Sequence, residues 1–456
     1  MKDQSILTTI LIVCIVTILF SFFAFYNGYP LLFPGDSLGY YYYGTRLDHD
    51  SAVHSFVYGL FVGFTSLGKS LWWTMLIQCL ICSCIFIFFL KYFLGKQYNF
   101  RLAIIIVLLV GFFTTFTKYS GKIMPDIFTG ISLLLFWIFF KYTTNIFQRV
   151  MYILGIAIIL SMHISLIPIY IVFFIIIFVY SLILKKIDFV KKAIVGFLIC
   201  LFAIMSTISI HWIFLKELYF NKVSYAFILG KLADNGILHD YLIKYCDTEP
   251  NELCEYKDQN YSIGQFMWDV ESSPFYKGFG YNYKKVFAAR KNSYSEINKR
   301  ILSKPKYLAK FILLSARNTM IMICNINCKE ITGNSVEWAM NEYLPNEKPD
   351  YYRSRQVKDQ LNSFESALHF LQTVAVVATL LFLIVYYVKI KDIELKEWII
   401  VTLLFLFVNA MICGSLSELD PRYTERTIWL VPFLFIMIVS KVGLRKILKD
   451  LKLNFS

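Results

Sequence analysis

The sequence predicts an all-α polytopic membrane protein of about ten transmembrane helices, with a mainly helical domain inserted between the seventh and eighth spans. Of its 456 residues, 57% are hydrophobic and 17% are charged, too few polar groups to cover a soluble fold of this length. Apolar runs of roughly 20 residues, enough to cross a bilayer, recur along most of the chain. Lysines and arginines concentrate in every second connection between these runs.

The predicted spans follow the apolar runs in chain order. The first run is expected to remain as a helix, because it is too long for a signal-peptide core and ends in FYNGYP rather than at a small-residue cleavage site. The predicted spans are 6–27, 71–94, 101–117, 126–141, 149–162, 165–184, 193–214, 367–388, 397–414 and 427–440.

The distribution of cations predicts the orientation of the chain. The densest cluster, at 185–192, falls in a connection that the positive-inside rule assigns to the cytoplasm, together with both termini. The 28–70 loop, the 118–125 loop, the 215–366 insert and the 414–426 loop then share the outer side. Most of the net charge of +14 is explained by topology, so it does not indicate nucleic-acid binding.

The long insert predicts a folded outer domain, because it exceeds ordinary loop length and mixes aromatic residues with charges. Its stretch 307–324 is apolar but contains Lys310 and Arg317, which leaves an interfacial helix and a re-entrant segment both open. The predicted modules are an N-terminal transmembrane module at 1–214, the outer domain at 215–366 and a C-terminal transmembrane module at 367–456.

Four of the ten cysteines lie in this polar insert. If the insert is outside the cell, Cys246 with Cys254 and Cys324 with Cys328 are expected to form two local disulfides. Zinc is the alternative, but no convincing set of four ligands accompanies these cysteines. The six cysteines inside apolar runs act as small hydrophobic residues.

The first outer loop places Asp36 after a Pro-Gly turn and before an aromatic, helical stretch. Helical spacing sets Tyr40 one turn further on, so that a carboxylate and a phenol address one ligand. The alternative is that Asp36 caps a short interfacial helix. His54, later in the same loop, is a secondary candidate for acid–base chemistry.

The second outer loop places Asp126 at the mouth of the fourth span, four residues after Lys122. Helix capping is again the alternative, because the helix dipole favours an acid there. An acid at the edge of hydrocarbon is nevertheless costly unless it is paired, solvated or bound to a ligand. His163, at the outer end of the fifth span, is the other secondary candidate.

The last outer loop sets Arg422 and Arg426 beside a span, against the inner-positive bias. At i and i+4 they share one helical face, next to Tyr423, and guanidinium groups are suited to bind phosphate. The alternative is internal pairing with the nearby acids, which are Glu418, Asp420 and Glu425. Glycine-rich phosphate loops, HExxH and GxSxG are absent, which argues against a nucleotide-driven pump, a zinc protease and a serine hydrolase.

The segments PGDSLGYY, KIMPDIFTG, MHISLIP and PRYTERTIWLVPF, together with the span layout, resemble the polyprenyl-phosphate-dependent glycosyltransferases of the GT-C superfamily and an uncharacterised bacterial group of membrane proteins with that layout. The resemblance implies transfer of a sugar from a polyprenyl-phosphate donor to a lipid, glycan or protein acceptor. The active site would lie at the outer face of a bacterial cytoplasmic membrane, and no nucleotide is needed.

The resemblance carries specific roles onto this chain. Asp36 would be the general base, and Asp126 would position the acceptor or help to hold a divalent cation. The donor phosphate would contact Arg422, Arg426 and Lys122. Tyr40 and Tyr423 complete the predicted substrate contacts. The paired acids common in the first loop of such enzymes appear here as Asp36 followed by Ser37, which leaves metal dependence open.

Three other classes of function remain open from the residues. A transporter or flippase for a polar lipid would use the same spans, although such proteins usually carry charges near mid-membrane and internal repeats. A membrane acyltransferase or phospholipid-group transferase would need His54 or His163 as an indispensable base. A non-catalytic assembly factor would use the outer domain for docking.

Overall fold

The computed structural model describes residues 6–47, 53–280, 283–329 and 334–451. Within these ranges the regular structure is helical, apart from one isolated bridge between Leu31 and Lys122. Four short 3-10 helices occupy Gly95–Gln97, Cys254–Tyr256, Pro274–Tyr276 and Tyr387–Lys389. The α-helices are α1 (Ile6–Phe20), α2 (Phe22–Asn27), α3 (Ser37–Thr45), α4 (Phe56–Ser66), α5 (Leu71–Leu94), α6 (Phe100–Phe113), α7 (Phe116–Ser120), α8 (Ile127–Tyr142), α9 (Ile146–Met162), α10 (Leu166–Ile183), α11 (Ile187–Leu215), α12 (Ser224–Asp234), α13 (Ile237–Tyr245), α14 (Ile263–Trp268), α15 (Tyr283–Leu302), α16 (Pro305–Cys324), α17 (Asn334–Tyr343), α18 (Lys348–Arg353), α19 (Asn362–Tyr386), α20 (Ile393–Leu416), α21 (Arg422–Ile428), α22 (Leu430–Val442) and α23 (Leu444–Asp450).

Every apolar run that was predicted to span the membrane is helical. In the described ranges, six helices are long and apolar enough to cross a membrane, and a seventh is added if the pair bent by 94° at Gly443 counts as one span. These lengths and compositions are typical of a multi-pass membrane protein. Five further apolar helices are shorter, so the number of ten spans stays a prediction.

Two predicted spans are interrupted by polar residues. The first breaks at Ser21, whose hydroxyl donates to the Thr17 carbonyl oxygen (2.8 Å) between α1 and α2. The third breaks after α6, where Thr114 adopts an extended conformation. There the side-chain oxygen of Gln372 accepts hydrogen bonds from the backbone and hydroxyl of Thr115, at 2.8 and 2.9 Å. At the second break, a partner distant in sequence therefore accompanies the end of a helix that hydropathy alone would continue, whereas the Ser21 hydrogen bond stays within its own segment.

Helix α4 was not predicted, because its eleven residues are too short for a span and lie inside the first outer loop. It packs tightly against α3 through glycines. A Cβ atom added to Gly44 would lie 1.8 Å from the Gly59 carbonyl oxygen, and one added to Gly63 would lie 2.1 Å from the Gly44 carbonyl oxygen. Only glycine permits this backbone approach, which sets α3 and its preceding Asp36 in place.

We expect Gly44→Ala to destabilise the protein by roughly 1–3 kcal/mol or more, because the added methyl group must push two backbones apart. The measurement is the thermal midpoint of the detergent-solubilised protein. Gly155→Ala is the matched control, because its added Cβ would meet only Leu135 at 3.9 Å, an ordinary contact. Equal midpoints for the two variants would contradict the close packing of α3 on α4.

The loops that were predicted to share one side do meet at one end of the helical bundle, here called the site end. Leu31 N donates to Gly121 O (3.0 Å), which joins the first two predicted outer loops. The insert reaches the same end, where the side chain of Gln356 bonds the backbone of Leu32. At the opposite end, ion pairs join the helices, for example Lys441 of α22 with Glu394 of α20 (2.6 Å). The grouping of loops by cation count is thus confirmed, while the membrane side that each end faces stays a prediction.

The insert has two differently packed parts. Residues between Val223 and Tyr307 form a separate apolar core, centred on α12 to α15. Residues of α17 and α18, such as Met340 and Tyr351, join the main core instead. Glu347 secures this second part, because its carboxylate accepts hydrogen bonds from Tyr29 (2.6 Å) and from the Leu71 backbone (3.1 Å).

Helix α16 contains the stretch that the sequence left open between an interfacial and a re-entrant position. It is one of the six helices long and apolar enough to cross a membrane. Its first half contacts the separate core of the insert, where Lys310 pairs with Asp240 (2.6 Å). Its second half packs on α20 so closely that a Cβ on Gly414 would lie 3.0 Å from Asn318. The helix therefore runs from the insert to the site end of α20.

One of the two expected disulfides is present. Cys246 and Cys254 are bonded, as their spacing predicted. The expected bond between Cys324 and Cys328 is wrong, since neither cysteine is in a disulfide. Cys324 is the last residue of α16, whereas Cys328 is turned toward the site, where its carbonyl oxygen accepts a hydrogen bond from Lys118.

Candidate functional site

Asp36 contacts two side chains from other parts of the chain. Although it directly precedes α3, its carboxylate makes no capping hydrogen bond, so the capping alternative is wrong. Arg422 Nη1 donates to Asp36 Oδ2 (3.0 Å), and His54 Nε2 lies 3.3 Å from Oδ1. Its two carboxylate oxygens thus face two different partners, and its side chain remains 32% exposed.

Asp126 has a deeply buried position with the other predicted arginine. It directly precedes α8 and also makes no capping hydrogen bond. Arg426 Nη1 donates to Asp126 Oδ1 (3.0 Å), and the side chains are 0% and 1% exposed. Asp126 Oδ2 is buried and accepts no hydrogen bond from the described residues. The acid at the mouth of this helix is therefore paired, as its cost near hydrocarbon requires.

Arg426 is surrounded by polar atoms from several helices. His163 Nε2 lies 2.7 Å from its Nη1, and Ser165 Oγ, Asn409 Oδ1 and Cys413 Sγ lie 3.2, 3.1 and 3.5 Å from Nη2. The predicted secondary candidate His163 is thus part of the site. Burial and the neighbouring Arg426 charge lower the pKa of His163, which favours the neutral imidazole that accepts from the guanidinium.

Both arginines come from α21, a two-turn helix at the site end. Their i, i+4 spacing places them on one face, and each guanidinium lies 5.1 Å from the Tyr423 ring centroid. Arg422 also lies over the Phe33 ring at 4.1 Å and 3.8 Å from Asp420. Of the three acids proposed as internal partners, Asp420 alone pairs with an arginine of this face.

The two arginines differ in access. The side chain of Arg422 is 10% exposed and that of its partner Asp36 is 32% exposed. The side chains of Arg426 and Asp126 are fully buried. Arg422 Nε is a donor without a hydrogen-bond partner in the described chain. The site therefore has an accessible acid–arginine pair with unused hydrogen-bonding capacity and a buried pair that supports it.

Tyr40 and Lys122, two further predicted contacts, lie at the edges of this cluster. The Tyr40 ring packs edge-on against His54 at 5.0 Å. Burial and the negative charge of Asp36 raise the pKa of Tyr40 well above its usual range, so the phenol stays protonated. Lys122 is fully buried, with its Nζ 4.7 Å from the Tyr119 ring centroid. Direct contact between Lys122 and a ligand would need the surrounding side chains to move.

The charge state of Asp36 follows from its neighbours. Burial by itself raises the pKa of this carboxyl group, but the hydrogen bond from His54 and the charge of Arg422 outweigh it and leave the pKa below its ordinary value. Asp36 is therefore ionised at neutral pH. Its resting basicity is weak because the same partners that stabilise its charge also hold back a proton.

A second buried ionic cluster was missed by the sequence analysis. Lys118 Nζ lies 3.3 Å from both Glu365 and Glu425, and His369 Nε2 lies 2.7 Å from Glu425. Tyr119 Oη also donates to Glu425 Oε2 (3.0 Å). Glu425 thus points away from the arginine face of α21, so the alternative in which it pairs with Arg422 or Arg426 is wrong. This cluster fixes the opposite side of the helix that carries both arginines.

The sequence contained a weak signal for this second cluster. Glu365 and His369 stand at i and i+4 in the first turns of α19, where hydropathy predicted only the start of a span. Lys118 is the first residue of the predicted 118–125 outer loop. The local sequence does not show that these residues meet. Lys118 is 251 positions from His369 and 307 positions from Glu425.

Metal binding was left open by the sequence. Among the residues that the structure describes, no group of three or more His, Cys, Asp or Glu side chains is arranged to bind a metal ion. Asp36 and Asp126 are each paired with an arginine instead. The charged groups of the site are therefore two arginines and the acids that they pair with.

The fold and the site together define a class only broadly: an all-helical chain, typical of multi-pass membrane proteins, with an acid–arginine site where several helices end. No known protein family, curated protein or solved structure matches it. The likeness to GT-C glycosyltransferases accordingly stays a prediction that rests on the short segments quoted above.

Proposed function

We propose that this protein is a membrane glycosyltransferase that moves a sugar from a polyprenyl-phosphate donor to a hydroxyl-bearing acceptor. The observation that carries the proposal is the contact between Asp36 and Arg422, at the accessible edge of a cluster built from three distant segments. A proton acceptor and a phosphate ligand are the two groups that such a transfer needs. The proposed site lies on the outer side of a bacterial cytoplasmic membrane.

Arg422 would bind the donor phosphate. Its planar guanidinium suits phosphate oxygens, and its buried Nε, 3.8 Å from Asp420 Oδ2, makes no hydrogen bond within the described chain. During transfer the bond between the sugar carbon and the phosphate oxygen breaks, and the electron pair stays on the phosphate. A fixed positive charge that faces this oxygen stabilises the transition state by several kcal/mol in a site that excludes water.

Donor binding would also activate Asp36. In the resting site Arg422 is one of the groups that keep the pKa of Asp36 low. A phosphate that engages Arg422 offsets this positive charge, so the pKa of Asp36 rises and the carboxylate becomes a better base. The acceptor proton would then be taken only when the donor is in place. Because of this coupling, Asp36 would remove a proton from the acceptor hydroxyl only after the donor has bound.

We expect Arg422→Gln to weaken binding of undecaprenyl phosphate by roughly tenfold to a hundredfold, since hydrogen bonds to charged groups contribute about 1.5–3 kcal/mol. Binding is measured with the full-length protein in lipid nanodiscs. Arg353→Gln is the matched control, because Arg353 is exposed and, within the described ranges, its contacts are with Asp350 and Pro349 of its own helix. Equal binding by the two variants would remove Arg422 from the phosphate site.

Transfer itself is tested with radiolabelled undecaprenyl-phosphate hexoses as donors and alkyl glycosides as acceptors. We expect a labelled disaccharide glycoside. Movement of intact donor across the nanodisc-derived vesicle membrane without a new covalent product would instead support a lipid transporter. The glycosyltransferase proposal stands only if the labelled sugar changes its covalent partner.

A further inference from the structure

The insert carries an uneven distribution of charge. Its part from 231 to 271 contains nine acids and three lysines, whereas its part from 283 to 324 contains ten lysines and arginines and one acid, Glu296. The second part forms α15 and α16, which are joined by only two residues. So dense a positive charge on two consecutive helices indicates attraction to an anionic partner.

Part of this positive charge is neutralised inside the insert. Three ion pairs join the 283–324 part to acids of the earlier part, namely Arg290 with Glu252, Lys304 with Glu249 (2.7 Å) and Lys310 with Asp240 (2.6 Å). Four further cations are exposed and form no ion pair with another described residue; they are Lys291, Lys299, Lys306 and Arg317, here called the exposed cations. Their charge is therefore available to an external anion.

Apolar side chains lie among the exposed cations on the surface of α16. Leu308, Ile312 and Leu313 are 43%, 61% and 71% exposed. Leu313 comes seven residues after Lys306 and four before Arg317, spacings that place these three on one side of the helix. A soluble polyanion would contact the cations and leave the apolar groups in water, whereas a phospholipid offers both a charged headgroup and apolar chains.

The position of α16 places Arg317 at the edge of the predicted membrane region. The second half of α16 packs on the site end of α20, with Asn318 beside Gly414, the last residue of a predicted span. Lys306 lies eleven residues before Arg317, about 16 Å along the helix axis toward the separate core of the insert. Arg317 is thus the exposed cation of α16 nearest to hydrocarbon, where a long basic side chain reaches toward the headgroups.

We infer that α16, with the lysines of α15, binds the anionic headgroups of membrane phospholipids at the site end. The inference goes beyond the proposed glycosyl transfer, because its partner is the lipid surface and not a substrate. Each cation close to an anionic membrane surface strengthens binding roughly fivefold. The positive-inside rule does not oppose this placement, since long inserts cross the membrane largely regardless of their charge.

The lipid contact would reach the candidate site through α16. Near the end of this helix the Met322 carbonyl oxygen accepts a hydrogen bond from Thr424 Oγ1 of α21 (2.7 Å). Thr424 lies between Arg422 and Arg426 in the same short helix. A lipid that holds α16 in place therefore also supports the helix that carries both arginines.

The experiment measures the thermal midpoint of the full-length protein in a neutral detergent as dioctanoyl phosphatidylglycerol or dioctanoyl phosphatidylcholine is added. A ligand of the folded state raises the midpoint by mass action, so we expect a larger rise with phosphatidylglycerol. The quadruple variant Lys291→Gln, Lys299→Gln, Lys306→Gln and Arg317→Gln should lose part of this excess. The matched control removes four exposed cations outside α15 and α16 and should keep it; its substitutions are Lys244→Gln, Lys257→Gln, Arg353→Gln and Lys358→Gln.

Two single positions separate the charged and apolar parts of the contact. Arg317→Gln should lower the response to phosphatidylglycerol, whereas Arg317→Lys keeps the charge and should retain it. Ile312→Asn should also lower the response, because it removes an apolar contact with the lipid chains. Ile243→Asn is its matched control, since Ile243 of α13 is exposed to a similar degree, 56% against 61%.

Three results would overturn the inference. One is an equal response of the quadruple variant and its control, which would show that the exposed cations do not bind lipid. Another is an equal rise with phosphatidylcholine and phosphatidylglycerol in the wild-type protein, which would show that headgroup charge is not recognised. The third is an equal rise with glycerol 1-phosphate or polyphosphate that the quadruple variant abolishes, which would assign the exposed cations to a soluble anion. Sugar transfer is measured separately, so none of these results decides the proposed function.

Discussion

Asp36→Asn is expected to lower sugar transfer by about 10²–10⁴-fold, the usual contribution of a positioned proton acceptor. The asparagine keeps the shape of the side chain but can neither take a proton nor pair ionically with Arg422 and His54. The variant should still bind undecaprenyl phosphate, because Arg422 loses a competing carboxylate. Loss of transfer with retained phosphate binding is therefore the specific signature of the proposed base.

The control for this result must separate chemistry from folding. Asp188→Asn changes the same residue type at an exposed position in the first turn of α11, far along the chain from the site. Both variants are compared for membrane expression and thermal midpoint. Transfer by Asp36→Asn at the rate of Asp188→Asn would show that Asp36 has no part in proton transfer.

Asp126→Asn is expected to destabilise the protein by about 3–5 kcal/mol, because it leaves the Arg426 charge buried without its counter-ion. The side chains of both residues are essentially inaccessible, so water cannot replace the lost partner. The free energy of unfolding is measured by denaturant titration of the protein in mixed micelles. The loss should appear as a lower midpoint with an unchanged slope.

Two comparisons make this prediction specific. Asp350→Asn breaks an ion pair with Arg353 whose side chains are 51% and 72% exposed, and it should cost at most about 1 kcal/mol. A double variant, Asp126→Leu with Arg426→Met, removes both buried charges and should recover much of the lost stability. If Asp126→Asn costs no more than Asp350→Asn, the buried pair does not stabilise the fold.

Much of the secondary structure could be predicted because hydropathy acts locally. An apolar run such as that in α10 has one stable conformation in hydrocarbon, since a helix satisfies every backbone polar group within the segment. The cation count likewise grouped the loops that meet at the site end. The helix break at Thr114 could not be predicted in the same way, because the next residue, Thr115, bonds Gln372 from a distant helix.

The sequence predicted which residues form the candidate site, but it predicted only part of how these residues are arranged. Asp126 was chosen because an acid at a membrane boundary is costly without a partner. Asp36 was chosen from its place between a Pro-Gly turn and an aromatic helical stretch, and Arg422 and Arg426 because they run against the inner-positive bias. Their spacing gave the shared face of the two arginines. It did not give the pairing, in which Arg422 meets Asp36 and Arg426 meets Asp126, because those contacts cross 386 and 300 positions of sequence.

The sequence by itself determined that this protein is helical, that its apolar runs are suited to a membrane, and which charged residues are unusual there. Only the tertiary structure decided which acid is accessible and which is sealed, that Glu425 belongs to the Lys118 cluster, and that one of two cysteine pairs is bonded. Local properties follow from the residue and its neighbours in the chain. Burial and ion pairing depend on how separate helices pack, since the free energy of a charge is set by the groups around it in space.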